Sequence, residues 1–377
     1  MQIYVVKTGD TVYRLASAYG VTAESIIETN QIAYPYRLVV GQALLIPGED
    51  RAPKRGILSG GYAYPFIRPE LLEETLPYLS RLLVFSYGFT EEGRLLAPEL
   101  PDAWMIQAAK EARAEAFLTL TPFGADGNFN NQLIHRMLIE PKAREQLISE
   151  LLWTVEQKGF RGVDVDFEFI LAQDRVLFAD FVRDLRNRMA ERGYQVSVAL
   201  VPKTSASQRG ALYEGKDYRL LGAAADQALL MTYEWGYTYG PPMAVAPLPQ
   251  VRRVVSYAVT EIPSEKLLLG IPNYGYDWPL PYVRGTTEAR TIGNEEAIQI
   301  ALTEGAEISY DETAKAPYFY YQDDGISHVV WFEDVRSIQA KFELLSEFGL
   351  AGACYWQLMR PFRANWRLLA DEFWVER

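Results

Sequence analysis

Apolar and polar positions divide the chain into two regimes. From residue 56 onward, short apolar runs of strand character alternate with longer stretches of helical period. The runs are Gly56 to Tyr62, Leu82 to Tyr87, Ala116 to Thr121, Gly162 to Glu168, Val196 to Val201, Gln227 to Tyr233, Lys266 to Pro272 and Gly352 to Trp356. Between them apolar residues recur at helical spacing, as in Leu147, Ile148, Leu151, Leu152 and Val155 ahead of Gly159, and Phe178, Phe181, Val182, Leu185 and Met189 ahead of Gly193. Eight such alternations predict an α/β fold, a (β/α)8 TIM barrel whose working face is built by the carboxyl ends of its strands.

The stretch after the seventh run is too long for one helix. It holds two strand-like segments, Tyr318 to Tyr321 and His328 to Phe332, joined through Asp324-Gly325, a strong hairpin signal. A small α+β insertion over about residues 277–332 is expected there, walling the barrel mouth. The helix opened by Asp334 and carried by Val335, Ile338, Phe342 and Leu345 then resumes the barrel. The start of the chain follows another pattern: a strand at Gln2 to Val6, a short helix ending at Gly20, a second helix capped by Thr22, and a strand from Ala43 to Ile46 stopped by Pro47. This predicts a small β-α-α-β module over 1–48, a charged, proline-containing linker over 49–55 and the barrel over 56–377.

Composition narrows the function classes. A chain of 377 residues, 49% hydrophobic, can bury a sizeable core. Its formal net charge of −12 opposes phosphate backbones and anionic membranes, and no run of Lys and Arg relieves it, so no nucleic-acid partner is expected. Cys354 is the single cysteine, which forbids an internal disulfide, and the apolar run from Ala351 to Leu358 suits a packed thiol. Two isolated histidines, His135 and His328, are too few for a convincing metal site or a Ser-His-Asp triad, so neither metal nor cofactor is expected. Met1 leads directly into a strand-like segment without the apolar core of an export signal, and no run reaches membrane-spanning length. A monomer without membrane insertion is the expectation.

The candidate chemistry lies in the fourth run, Arg161-Gly162-Val163-Asp164-Val165-Asp166-Phe167-Glu168. Strand side chains alternate faces, so Asp164, Asp166 and Glu168 share one face and Val163, Val165 and Phe167 the other. Neighbours on that face sit roughly 6 to 7 Å apart, close enough for strong repulsion wherever water is excluded. Such crowding keeps one group protonated near neutral pH, and a protonated carboxyl beside ionised ones is what glycoside cleavage requires. The plain alternative is a half-exposed strand with an acidic outer face.

Two family resemblances cover nearly all of the chain. The opening module resembles the LysM glycan-binding family, with Val5-Val6-Lys7-Thr8-Gly9-Asp10-Thr11, Ala16, Tyr19-Gly20-Val21, Asn30 and Val40-Gly41-Gln42-Ala43-Leu44-Leu45-Ile46-Pro47 in the family's order. That resemblance implies a shallow groove for N-acetylglucosamine between Gly9, Asp10 and Thr11 on one loop and Asn30 to Ile32 on another; a ligand-free packing module is the alternative. The remainder resembles the family 18 glycoside hydrolases, whose fourth-strand motif Asp-x-x-Asp-x-Asp-x-Glu is matched at Asp164, Asp166 and Glu168, with Arg161 in place of the first aspartate. Met231-Thr232-Tyr233-Glu234-Trp235 resembles the family's Met-x-Tyr-Asp pattern on the sixth strand, and Tyr355-Trp356 ends the eighth. Further segments, among them Tyr274-Gly275-Tyr276-Asp277-Trp278 and Tyr310-Asp311-Glu312-Thr313-Ala314, are similar to the spore-germination branch, the LysM-bearing cortex-lytic N-acetylglucosaminidases of endospore formers.

The resemblance implies substrate-assisted retention. Glu168 is the expected acid and base, Asp166 the group that orients the acetamide, Asp164 its modulator and Tyr233 the donor to the acetamide oxygen. Met231, Glu234, Trp356, Tyr62 and Asn273 are expected substrate contacts. The implied partner is peptidoglycan or another N-acetylglucosamine-containing glycan, cleaved at β-1,4 bonds during germination, and the implied location is the spore coat or cortex surface. A chitinase and a catalytically silent glycan-binding barrel remain alternatives. The presence of Glu168 weighs against the silent one.

Overall fold

Eight parallel strands close on themselves in the computed structural model, which describes residues 1–48, 54–123 and 130–377. In chain order they are Arg55–Ala63, Arg81–Phe89, Glu115–Leu120, Gly162–Val165, Gln195–Leu200, Gln227–Leu230, Leu267–Pro272 and Gly352–Trp356, and the eighth pairs back onto the first through Cys354 opposite Gly60. The ring has no free edge, so it lacks the row of unpaired backbone groups that an open sheet presents. Inside it pack Tyr62, Leu83, Phe85, Phe117, Leu229, Leu268 and Cys354. The amino-terminal end is corked by Arg81, which donates to Gln195 at 2.7 Å and to Gln227, and lies 4.6 Å over the Phe117 ring.

Two strands stop earlier than their apolar runs suggest. The fourth ends at Val165 and the sixth at Leu230. Their neighbours end too: the Asp166 N–H reaches the last carbonyl of the third strand, Leu120, and the Met231 N–H reaches the last carbonyl of the fifth, Leu200. Beyond those bonds the chain is released from the ladder, so Asp166, Glu168 and Tyr233 stand on the strand ends at the mouth.

After the seventh strand the chain builds a five-stranded antiparallel sheet from Gly275–Leu280, Arg290–Ile292, Ser309–Asp311, Ala316–Asp323 and Ile326–Trp331, with the helix Asn294–Glu304 against it. Asp324 and Gly325, at φ 45° and 81°, form the two-residue turn between Asp323 and Ile326. Both backbones are left-handed, as a hairpin turn that follows the strand twist requires.

At the start of the chain Gln2–Val5 pairs antiparallel with Ala43–Ile46 around helices Val12–Tyr19 and Ala23–Thr29. The Thr11 and Thr22 side chains cap the two helices by accepting from the N–H of Arg14 and of Ser25. This module has its own core of Val12, Leu15, Ile26, Leu44 and Ile46, but Leu45 points the other way, into the core of the barrel. Val39 joins the core of the inserted sheet, the Ile308 N–H donates to the Val40 carbonyl at 2.9 Å, and Arg363 donates to the Glu28 carbonyl at 2.9 Å. Of the stretch expected as a linker, residues 49–53 lie outside the described residues, and Arg55 already belongs to the first barrel strand.

Candidate active site

Asp164 is the last inward-facing acid while the ladder is intact. It is fully buried and accepts hydrogen bonds from the Tyr62 hydroxyl on the first strand, at 2.8 Å, and from Ser197 on the fifth. Burial pushes its carboxyl above the ordinary range, while the two donors and the charges of Arg81 and Lys216 pull it back.

Asp166 is less well served. It is buried, and its Oδ1 has no hydrogen-bond partner among the described residues. Loss of water, the charge of Glu168 and the charge of Asp164 hold its carboxyl well above the ordinary value, with Lys216 opposing. Glu168, half-buried, is also raised by burial, again opposed by Lys216. Such a pair titrates as a unit and holds a proton that isolated carboxylates would have lost.

Lys216 is the group that sequence reading missed. It lies in the irregular stretch after the fifth strand, fully buried, with its Nζ donating to the Ala199 carbonyl at 3.0 Å and standing 5.1 Å from the Phe178 ring. Burial brings its amine down to about 8 against the pull of Asp166, Glu168 and Asp164. Gly215 allows the approach, since a Cβ there would meet the Ile170 carbonyl oxygen at 2.1 Å. No periodicity marks a residue delivered by a loop.

Tyr233 stands over the acids from the end of the sixth strand. Its hydroxyl has no hydrogen-bond partner among the described residues, and burial followed by the charge of Asp166 raises it well above the ordinary phenol range. Gly270 on the seventh strand makes room: a Cβ there would meet the Leu230 carbonyl oxygen at 2.3 Å and the Tyr233 ring at 2.9 Å. Next along the chain, Glu234 adopts a left-handed backbone at φ 68°. Its carboxylate accepts from the Tyr274 hydroxyl and from that of Tyr276 at 3.0 Å. Trp356, half-exposed at the end of the eighth strand, meets Phe85 at 5.0 Å and Tyr62 at 5.4 Å between ring centroids.

Other expected contacts are placed differently. Tyr62 is 1% exposed and spends its hydroxyl on Asp164. Asn273 is buried, and its Nδ2 donates to the carbonyls of Gln357 at 3.0 Å and Arg360 at 2.9 Å, so it anchors the loop after the eighth strand. Met231, half-buried, packs against the barrel core. In the amino-terminal module Gly9 and Thr11 are exposed, whereas the Asp10 carboxylate is taken by the Tyr4 hydroxyl and the Lys7 N–H, both at 2.7 Å. Asn30 and Ile32 lie inside the module, a correction to their expected place on a glycan groove. The Asn30 side chain bonds the Ile26 carbonyl and both backbone groups of Leu45, and Ile32 packs in the small core.

Arg161 faces away from the acids, paired with Glu115 at 2.8 Å near the amino-terminal end of the strand. Its presence in place of an aspartate leaves the support of Asp164 to Tyr62 and Ser197. Among the described residues no cluster of three or more His, Cys, Asp or Glu could hold a metal ion, and no helix is long and apolar enough to cross a membrane.

Comparison with known proteins matches residues 84–360 to the model of glycosyl hydrolases family 18 and residues 4–47 to that of the LysM domain. A cortical fragment-lytic enzyme of Bacillus subtilis is 38% identical, over 99% of this chain and 98% of the relative. The crystal structure of the Bacillus cereus spore cortex-lytic enzyme SleL superposes with a TM-score of 0.94 at 33% identity, covering 100% of this chain and 98% of that one. A chitinase from Chromobacterium violaceum superposes with a TM-score of 0.77 at 25% identity, over 84% of this chain and 98% of its own.

Proposed function

The chain belongs to glycosyl hydrolases family 18 and carries a LysM domain ahead of its barrel, and from that premise we propose that it is an N-acetylglucosaminidase acting on spore cortex peptidoglycan or its fragments. The observation that carries this reading is the acid pair at the mouth. Glu168 and the partly unpartnered Asp166 are both buried enough to be held above the ordinary carboxyl range, and a tyrosine hydroxyl with no protein partner among the described residues stands beside them.

In the proposed mechanism Glu168 gives its proton to the glycosidic oxygen as the bond from that oxygen to the anomeric carbon breaks. The sugar's own acetamide carbonyl attacks that carbon from the opposite side, forming a cyclic oxazolinium ion. The Asp166 carboxylate accepts the acetamide N–H and stabilises the positive charge, the charge of Asp164 modulates the proton affinity of Asp166, and Tyr233 donates to the acetamide oxygen. Glu168, now a carboxylate, takes a proton from water, and the water oxygen attacks the anomeric carbon, reopening the ring. Two inversions leave the configuration retained. Trp356 floors the site beneath the reacting sugar, and Gly9 and Thr11 are the groups the LysM domain still offers to glycan.

The relatives named above support the cortex as the polymer and the spore as the place of action. The decisive measurement is hydrolysis of purified cortex fragments, with products identified by mass. Glu168→Gln should fold normally and lose about 10³-fold or more in kcat, while glucans lacking the N-acetyl group should be cut very slowly by the unaltered protein. Retained turnover in the variant, or rapid cleavage of cellulose oligomers, would remove the assignment.

A further inference from the structure

Beside Trp356 the loops after the first and eighth strands enclose a cavity of about 350 Å³, lined by Tyr64, Phe66, Arg68, Gln357, Met359 and Arg360. One wall is aromatic. Phe66, 64% exposed, stacks on Tyr64 with centroids 5.0 Å apart and planes 26° apart, and Tyr64 in turn lies 6.3 Å from Trp356. Burial and the charge of Asp166 both raise the Tyr64 hydroxyl, so this platform lies within electrostatic reach of the acid pair.

The other wall is cationic, in a chain whose acids outnumber its Lys and Arg by 49 to 37. Arg68 is exposed, and its guanidinium has no partner among the described residues. Arg360 reaches the Thr291 carbonyl at 3.3 Å and Glu296 only at 3.9 Å, while its buried Nε has no acceptor. Glu296 is itself engaged by Arg290 at 2.5 Å. The loop carrying Arg360 is fixed in advance, by the Asn273 amide on its carbonyls and by the Gln357 side chain accepting from the Met359 N–H at 2.6 Å. Apolar rings with a few convergent, held polar groups are the usual make-up of a ligand subsite. Two guanidinium groups with spare donors select a carboxylate.

We propose that this cavity is the subsite for the sugar next to the reacting one, and that it selects a muramic-type sugar. The aromatic pair takes the sugar's apolar face, and Arg68 and Arg360 take the carboxylate carried on its lactyl or peptide substituent. The inference rests on the reading of the acid pair as a site that cleaves after N-acetylglucosamine. In an alternating polymer both neighbours of that N-acetylglucosamine are muramic, so the platform meets a muramic sugar whichever way the strand runs. In chitin neither neighbour is charged.

The test compares kcat/KM on two probes of equal length: chitin oligomers, and alternating glycan strands stripped of their peptides by an amidase so that the lactyl carboxylates are free. For the full chain, the ratio of stripped strands to chitin should fall about tenfold in Arg68→Gln and in Arg360→Gln, mainly through KM, as loss of one charge-assisted contact predicts. The ratio for the unaltered protein should also shrink as salt rises. The Arg68 side chain is exposed and makes no hydrogen bond or ion pair among the described residues, so its variant is informative even if Arg360→Gln disturbs the loop. An unchanged ratio in Arg68→Gln overturns the subsite while leaving the cortex reading intact. If the unaltered protein cleaves chitin but not the stripped strands, both fall.

Discussion

A single carboxyl, Asp166, carries a cost in stability beside the part proposed for it in catalysis. Its Oδ1 is buried without a partner among the described residues, and burial first, then the charges of Glu168 and Asp164, hold its proton on well past the ordinary aspartate value of about 4. A group raised in the folded state binds more protons there than in the unfolded chain, so its contribution to stability falls as pH rises through that window. Asp166→Asn should therefore raise Tm near pH 8 more than near pH 4, while hydrolysis drops. Thermal scans at the two pH values check this, and equal changes at both would count against it. Lys216 acts on the same pair with opposite sign, since its charge lowers both Asp166 and Glu168. Replacing it by Met should move both limbs of the activity profile to higher pH, with the curves converging above about pH 8, where the amine of the unaltered protein has itself lost its proton. A profile scaled down without displacement would mark Lys216 as a packing residue only.

At the level of elements, legibility followed period. Strands and helices announce themselves through alternation and helical spacing, so the eight barrel strands, the caps at Thr22 and Asp334 and the Asp324-Gly325 turn could all be read from residues. The acids on the fourth strand were legible for the same reason. What could not be read was supplied by irregular backbone or by burial: Lys216 from a loop, Tyr274 and Tyr276 closing on Glu234, and the inward turn of Asn30. Strand ends were overestimated because an apolar run continues past the point where its neighbours stop offering hydrogen bonds. Gly270 shows how closely the elements pass. Gly270→Ala should cost about 1–3 kcal/mol and displace Tyr233, so that kcat falls along with stability; denaturant unfolding and turnover measured together test it.

For the molecule as a whole, the amino-terminal module is joined to the barrel by shared cores. Leu45 packs with the barrel and Val39 with the inserted sheet, and Arg336 donates to the Gly41 carbonyl at 3.2 Å. Calorimetry should accordingly record one cooperative unfolding transition for module and barrel together. Gly41 is the tightest point of the junction: its φ is 86°, and a Cβ would fall 1.8 Å from the Ile308 carbonyl oxygen. Gly41→Ala should cost about 1–3 kcal/mol or more and detach the module's melting from the barrel's; an unaltered single peak would refute the junction's importance. A seam of this kind makes the lobe a poor candidate for exchange. Recombination could splice a different carbohydrate grip onto this hydrolase only by carrying across the matching patch of helix and sheet, so grip and cutter are expected to descend together rather than shuffle as separate parts.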